Sequence, residues 1–354
     1  MKESIYKNSG RIIFFLFSIS IFFGFYLNED GSGGGASTDF NNTWQYILDL
    51  KEDLLFTYMN WEHIHLPFHY VILSFINYFF TDKEQIRFIF CLLSLSVPIL
   101  FYFGLTAVAR ADILTSEIEY IHSGIKLKGY LAYNDAVKEK RPGVLVVHEW
   151  WGHNEHARDR ARMLAEDGYT ALAIDMYGVG KTANHPKKAG ELMNAAFKDW
   201  ETSQARFNKA KKVLQAHETV DSTRIGAIGF CFGGAVSIRM VRGGADLDGI
   251  VAFHSSLPSE PPIKKGNVKA SILIINGSED SFLNPESVGS FSQEMVAGNV
   301  DFSYLSLAGV KHSFTNKQAD EFRKKFNIPN LEYNKQADER SWSEMQRFFK
   351  RVFN

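Results

Sequence analysis

The chain has 354 residues, with 39 Lys and Arg against 40 Asp and Glu and a formal net charge of −1. That balance argues against nucleic acid as the main partner, which asks for a basic surface. The two cysteines, Cys91 and Cys231, form no Cys-x-x-Cys pair, which removes the usual dithiol redox and zinc-finger readings; Cys91 lies in an apolar run, so no Cys91–Cys231 disulfide is expected. The composition divides near residues 110–112. Residues 1–111 are rich in Phe, Ile, Leu and Tyr, while residues 112–354 read as a soluble α/β domain.

In chain order, residues 11–27 carry no charge after Arg11 and are preceded by Lys2 and Lys7, so they read as a first membrane span with a cytoplasmic N-terminus. Residues 28–37 form a Gly/Ser-rich loop and residues 39–65 a polar, aromatic interfacial stretch. Residues 66–80 are a short apolar run, and residues 88–109 a long one interrupted by Pro98. Residues 1–111 are therefore expected to be a membrane region of two to three hydrophobic helices. Glu29-Asp30 and Asp39 after the first span, His65-Leu66-Pro67-Phe68-His69-Tyr70 opening a second and Ile86-Arg87 opening a third resemble the start of GT-C membrane glycosyltransferases, the dolichyl-phosphate-mannose mannosyltransferase type. The resemblance implies a fragment of such an enzyme; the plainer reading is an anchor with solvated loop charges. Ala109-Arg110-Ala111 also resembles the end of a secretory signal peptide. Both readings put the rest of the chain on the extracytoplasmic side, anchored, or secreted if cleaved after Ala111.

Residues 116–122 and 125–133 read as a hairpin around Ser123-Gly124. Residues 143–148 carry a continuous apolar run, the mark of a strand buried on both faces. Residues 154–167 have helical periodicity, 170–175 form another buried strand, and 187–217 read as one amphipathic helix. Further strands are expected at 224–229, 247–253, 271–276 and 302–307, and helices at 235–241, 285–297 and 338–353. Strands alternating with helices imply an α/β fold, a mostly parallel sheet covered on both faces.

The chemistry gathers in loops that leave the C-terminal strand ends, where open α/β sheets bind ligands. Gly229-Phe230-Cys231-Phe232-Gly233-Gly234 joins a strand to a helix in the layout of a nucleophile elbow, with Cys in place of Ser. Asp280 and His312 follow later strands, so nucleophile, acid and histidine come in the α/β-hydrolase order. His148, His153 and His156 do not have the spacing of a metal-binding helix, and no metal or cofactor is expected. His254, at the end of a buried strand, reads as a structural histidine.

His148-Glu149-Trp150-Trp151-Gly152, Asp175-Met176-Tyr177-Gly178, the elbow, Gly277-Ser278-Glu279-Asp280 and His312-Ser313-Phe314 together resemble the dienelactone hydrolase family across residues 116–353. The resemblance implies an α/β-hydrolase fold and hydrolysis of a small ester or lactone. Cys231 would be the nucleophile, His312 the base and later the acid, and Asp280 its orienting partner. The backbone N–H groups of Phe232 and Trp150 are the natural oxyanion donors. In the family, the glutamate matching Glu149 helps to deprotonate the nucleophile. Trp150, Trp151, Tyr177 and Phe314 are expected to line the pocket, with a place in the plain core as the alternative for each. The family's arginine after the histidine is missing from Thr315-Asn316-Lys317, where Lys317 offers only a point charge. The alternative is a non-catalytic binding protein on the same fold. The oligomeric state stays open.

Overall fold

The alternating apolar and amphipathic segments of residues 113–354, which the computed structural model describes, become eight strands and seven helices. The strands are β1 (Ile113–His122), β2 (Ile125–Asn134), β3 (Arg141–Val147), β4 (Thr170–Ile174), β5 (Val220–Phe230), β6 (Gly249–Phe253), β7 (Ser271–Gly277) and β8 (Phe302–Leu307). The helices are α1 (Glu155–Glu166), α2 (Pro186–Lys198), α3 (Trp200–Gln215), α4 (Phe232–Arg242), α5 (Pro285–Ala297), α6 (Ala319–Phe326) and α7 (Lys335–Phe353). The expected spans and the glycosyltransferase resemblance fall on residues 1–111, outside the described residues. Among the described residues no helix is long and apolar enough to cross a membrane.

The strands form one sheet in the order β1-β2-β4-β3-β5-β6-β7-β8. β1 and β2 pair antiparallel, β2 meets β4 antiparallel, and the strands from β4 to β8 are parallel. The hairpin between β1 and β2 turns at Ser123 and Gly124, both at positive φ (48° and 75°), as a tight two-residue hairpin requires.

The core has two layers because strand side chains alternate. Leu145 and Val147 join Phe207 of α3, Val236 and Met240 of α4, and Met295 of α5. Val144 and Val146 face the other way, onto Ala157, Ala161 and Leu164 of α1 and Met345, Phe349 and Phe353 of α7. All four β3 residues are fully buried, each contributing about 1.5–3 kcal/mol of transfer free energy. That double coverage explains why β3 reads as a continuous apolar run. β5 lies between β3 and β6, so the elbow at its end sits at the middle of the sheet.

The structure differs from the sequence reading at two places. The single helix expected over 187–217 is α2 and α3, broken at Asp199, whose side chain accepts from the Thr202 N–H at 3.3 Å and caps α3. Helix α6 was not expected; at eight residues it is too short to show a clear apolar period.

Candidate active site

The elbow is forced by close backbone contacts. Cys231 stands at φ 53°, ψ −112° between β5 and α4, a conformation that costs a non-glycine residue about 1–3 kcal/mol. A Cβ on Gly229 would fall 2.1 Å from the Gly233 carbonyl oxygen, and one on Gly233 2.2 Å from the Val147 carbonyl oxygen. Only glycine fits either position. The Cys231 N–H donates to the Phe253 carbonyl at 3.0 Å, and the Gly234 N–H donates to the Cys231 carbonyl at 3.1 Å. The sulfur is thus held at the N-terminal, positive end of α4. Phe232 is the first residue of that helix, so its N–H has no acceptor within the helix.

Asp280 and His312 meet the elbow from the loops after β7 and β8. The His312 Nδ1–H donates to Asp280 Oδ2 at 2.6 Å, which leaves Nε2 for the Cys231 side chain. Burial pulls the imidazole pKa down, but Cys231 and Asp280 outweigh it and push it up to about 10. Burial also raises Asp280, yet the His312 bond, Asn330 Nδ2 at 3.1 Å and the Phe282 N–H at 3.0 Å hold its carboxyl below the ordinary value. The Phe282 ring is 56% exposed and stands edge-on to His312 at 5.0 Å, an apolar rim beside the histidine.

The family model for dienelactone hydrolases matches residues 127–353. The chain belongs to the dienelactone hydrolase family. As a member of it, the protein is a hydrolase of the ester- and lactone-cleaving type. It is 31% identical over 209 residues to protein usf of Aquifex pyrophilus, covering 58% of this chain and 88% of that one. A protein of Aquifex aeolicus that carries the provisional name carboxymethylenebutenolidase is 29% identical over 215 residues, again covering 58% and 88%. A dienelactone hydrolase-like promiscuous phosphotriesterase from metagenomic libraries superposes with a TM-score of 0.63 at 31% identity, over 68% of this chain and 98% of its own.

In this member of the family the other residues singled out from the sequence divide by burial. Glu149 is 1% exposed, and burial raises its pKa against the pull of its donors and of the His312 charge. Its carboxyl group accepts from Ser313 Oγ at 3.1 Å and Asn316 Nδ2 at 2.5 Å, both on the histidine loop. Among the described residues these are its hydrogen-bond partners, so the carboxyl is spent on the loop carrying His312. Trp150 follows in a turn closed by the Gly152 N–H onto the Glu149 carbonyl at 3.1 Å. The Tyr177 hydroxyl donates to the Trp150 carbonyl at 3.2 Å, and burial, reinforced by Cys231, raises its pKa.

Trp151 and Phe314 do not line an open pocket. Trp151 is 2% exposed and packs on Phe322 and Phe326 of α6, with ring centroids 4.5 and 6.1 Å away. Phe314 has no exposed surface and meets His254 edge-on at 5.3 Å. Both rings, on the loops after β3 and β8, are packed against other rings of the fold. Lys317 is exposed on the approach to α6.

Several residues that matter for the geometry carry no motif. Asn330, after α6, gives its side-chain amide to Asp280, accepts the Ser281 N–H at 3.0 Å, and accepts the His312 N–H on its backbone carbonyl at 3.0 Å. His254 is fully buried at φ 37°, its Nε2 2.8 Å from Thr315 Oγ1 and its ring 5.0 Å from that of His312. Burial, aided by the charge of His312, pushes its pKa well down, which favours the neutral ring, and its Nδ1 is buried without a hydrogen-bond partner among the described residues. Arg160 of α1 donates to the Thr315 carbonyl at 2.5 Å and pairs with Asp338 of α7 at 2.9 Å. A polar residue opposite the histidine loop is visible only once the chain is folded.

Proposed function

We propose that the protein hydrolyses a small ester or lactone through a Cys231-His312-Asp280 triad and an acyl-enzyme. The observation that carries this reading is His312 linked to Asp280 through Nδ1 while facing a cysteine at a strained strand-to-helix turn. Cys231 Sγ forms a bond to the carbonyl carbon, and the π pair moves onto oxygen. The Phe232 and Trp150 N–H groups receive that oxyanion. Collapse breaks the C–O bond, and the leaving alkoxide takes the proton from His312 Nε2. In a lactone the released hydroxyl stays tethered to the acyl group. Water then gives a proton to His312 and attacks the thioester, the C–S bond breaks, and the carboxylic acid leaves. Glu149 serves by holding the histidine loop through Ser313 and Asn316.

A neutral or weakly charged substrate suits this site better than the carboxylate-bearing type that the family's arginines recognise. Asn316 occupies the stretch where the arginine is missing, and it binds Glu149. The test is turnover of a short-chain aryl ester by wild type, Cys231→Ala and Cys231→Ser. The alanine variant should lose at least about three orders of magnitude, roughly 4 kcal/mol, and serine should lose most of the activity because its hydroxyl is far less ionised. Alkylation of Cys231 should abolish turnover in proportion to labelling. Wild-type turnover by Cys231→Ala would place the nucleophile elsewhere.

Residues 1–111 serve in this reading as a membrane anchor that holds the hydrolase outside the cytoplasm, unless cleavage after Ala111 releases it. The apolar runs at 11–27, 66–80 and 88–109 support it. Fractionation checks it: the intact chain should sediment with membranes, and its recovery in a detergent-free soluble fraction would remove the anchor.

A further inference from the structure

We propose that His148 is the positioning residue of the oxyanion hole, locking the Glu149–Trp150 peptide so that the Trp150 N–H faces the carbonyl attacked by Cys231. The inference rests on the acyl-transfer reading above.

His148 directly follows β3 and has no exposed surface. Its Nε2 is 3.3 Å from the Met176 N–H, and its Nδ1 is 2.5 Å from the Glu149 carbonyl oxygen. A backbone N–H can only donate, so Nε2 carries the lone pair and the ring proton sits on Nδ1. That proton is donated to the Glu149 carbonyl. Burial also pushes the ring's pKa down, which keeps it in this neutral form.

The same Glu149 oxygen accepts the Gly152 N–H at 3.1 Å. The Glu149 carbonyl and the Trp150 N–H belong to one planar trans unit, so they point in opposite directions. Two donors on the carbonyl therefore fix the direction of the N–H. The next carbonyl, that of Trp150, is held by the Tyr177 hydroxyl at 3.2 Å. The His148 ring also lies edge-on to Tyr177 at 4.8 Å and stacks at 5.7 Å on Phe232, the residue with the second oxyanion donor. One buried ring thus touches the residues that set both donors. Without Nδ1–H the peptide keeps only the Gly152 bond and can rotate, and the donor loses its aim.

Two variants separate the ring's two bonds. In His148→Asn the side-chain amide keeps a donor where Nδ1 stood. In His148→Gln an amide oxygen can still accept from Met176, but the donor to Glu149 is lost. On p-nitrophenyl acetate, His148→Gln should lower kcat by about 10²-fold with KM within about threefold, the signature of a lost transition-state donor. His148→Asn should recover at least about tenfold of that loss. Alkylation of Cys231 by iodoacetamide builds no oxyanion, so its rate should change by less than about threefold in both variants. Alkylation slowed as much as turnover would make His148 a residue that acts on the sulfur or on the fold, and would overturn the proposal. So would wild-type kcat in His148→Gln, an Asn variant no better than Gln, or unfolding of both variants. Full turnover by Cys231→Ala is a separate result, which removes the acyl-transfer reading itself.

Discussion

The cysteine loop and the histidine loop are held by different means. Around Cys231 the constraint is backbone on backbone: Gly229 and Gly233 are pressed against carbonyl groups at distances no side chain allows. Around His312 it is side chain on backbone and side chain on side chain, through Asp280, Asn330, Glu149, Thr315 and Arg160, drawn from the loops after β3, β7 and β8, from α1 and from the segment after α6. A steric constraint of the first kind is all or nothing. A network of the second kind should fail by degrees, because each hydrogen bond is worth about 0.5–1.5 kcal/mol net.

The largest contrast is expected at the elbow. Gly233→Ala puts a Cβ into the Val147 carbonyl, and ester turnover should fall at least about three orders of magnitude, or the fold should fail outright. Circular dichroism and turnover together read the outcome, and a variant within tenfold of wild type would show that the elbow can relax.

The second effect is electrostatic. Cys231 and Asp280 together hold the His312 pKa up at about 10. Cys231→Ala removes one of the two raising groups while burial still pulls downward, so the midpoint must fall. A drop of more than about one unit, a tenfold change in the protonation equilibrium, should be seen by NMR titration of the imidazole. An unchanged midpoint would mean that the sulfur and the ring do not interact in the resting protein.

A smaller loss is expected from Asn330→Ala. It removes the amide from Asp280 and the acceptor for the Ser281 N–H but keeps the backbone bond to the His312 N–H. A loss of about tenfold in kcat/KM, roughly 1.4 kcal/mol, with a lowered Tm fits a network that fails by degrees. A collapse as deep as that of Gly233→Ala would erase the distinction between the loops. The smallest effect belongs to deletion of residues 1–111. Every group named in both loops lies within 113–354, so kcat/KM on a soluble ester should stay within about threefold, under about 0.7 kcal/mol. A hundredfold loss would mean that the N-terminal region builds part of the site.

The two loops also differ in how legible they were. Gly229, Cys231 and Gly233 follow each other in the chain, so the elbow announces itself, and Asp280 and His312 stand at strand ends in hydrolase order. The strands were readable from the same local signal. The break at Asp199 was not, because a capping side chain inside an amphipathic stretch leaves the apolar period intact. Trp151 and Phe314 looked like pocket residues since they flank motif residues, and only packing shows them turned inward.

From the sequence alone came the alternation that makes a parallel sheet, the glycines that make the elbow, and the order of cysteine, acid and histidine. These are local properties, set by side-chain period and by what one turn can hold. Tertiary structure alone decided that Asn330 ties the Asp280 loop to the His312 loop, that Glu149 spends its carboxyl on Ser313 and Asn316, and that His148 grips the peptide beside it. Those partners join segments far apart in the chain, or depend on which way a ring faces in a buried site. A buried polar group must find its hydrogen bonds wherever folding brings them, and no spacing in the sequence records where that is.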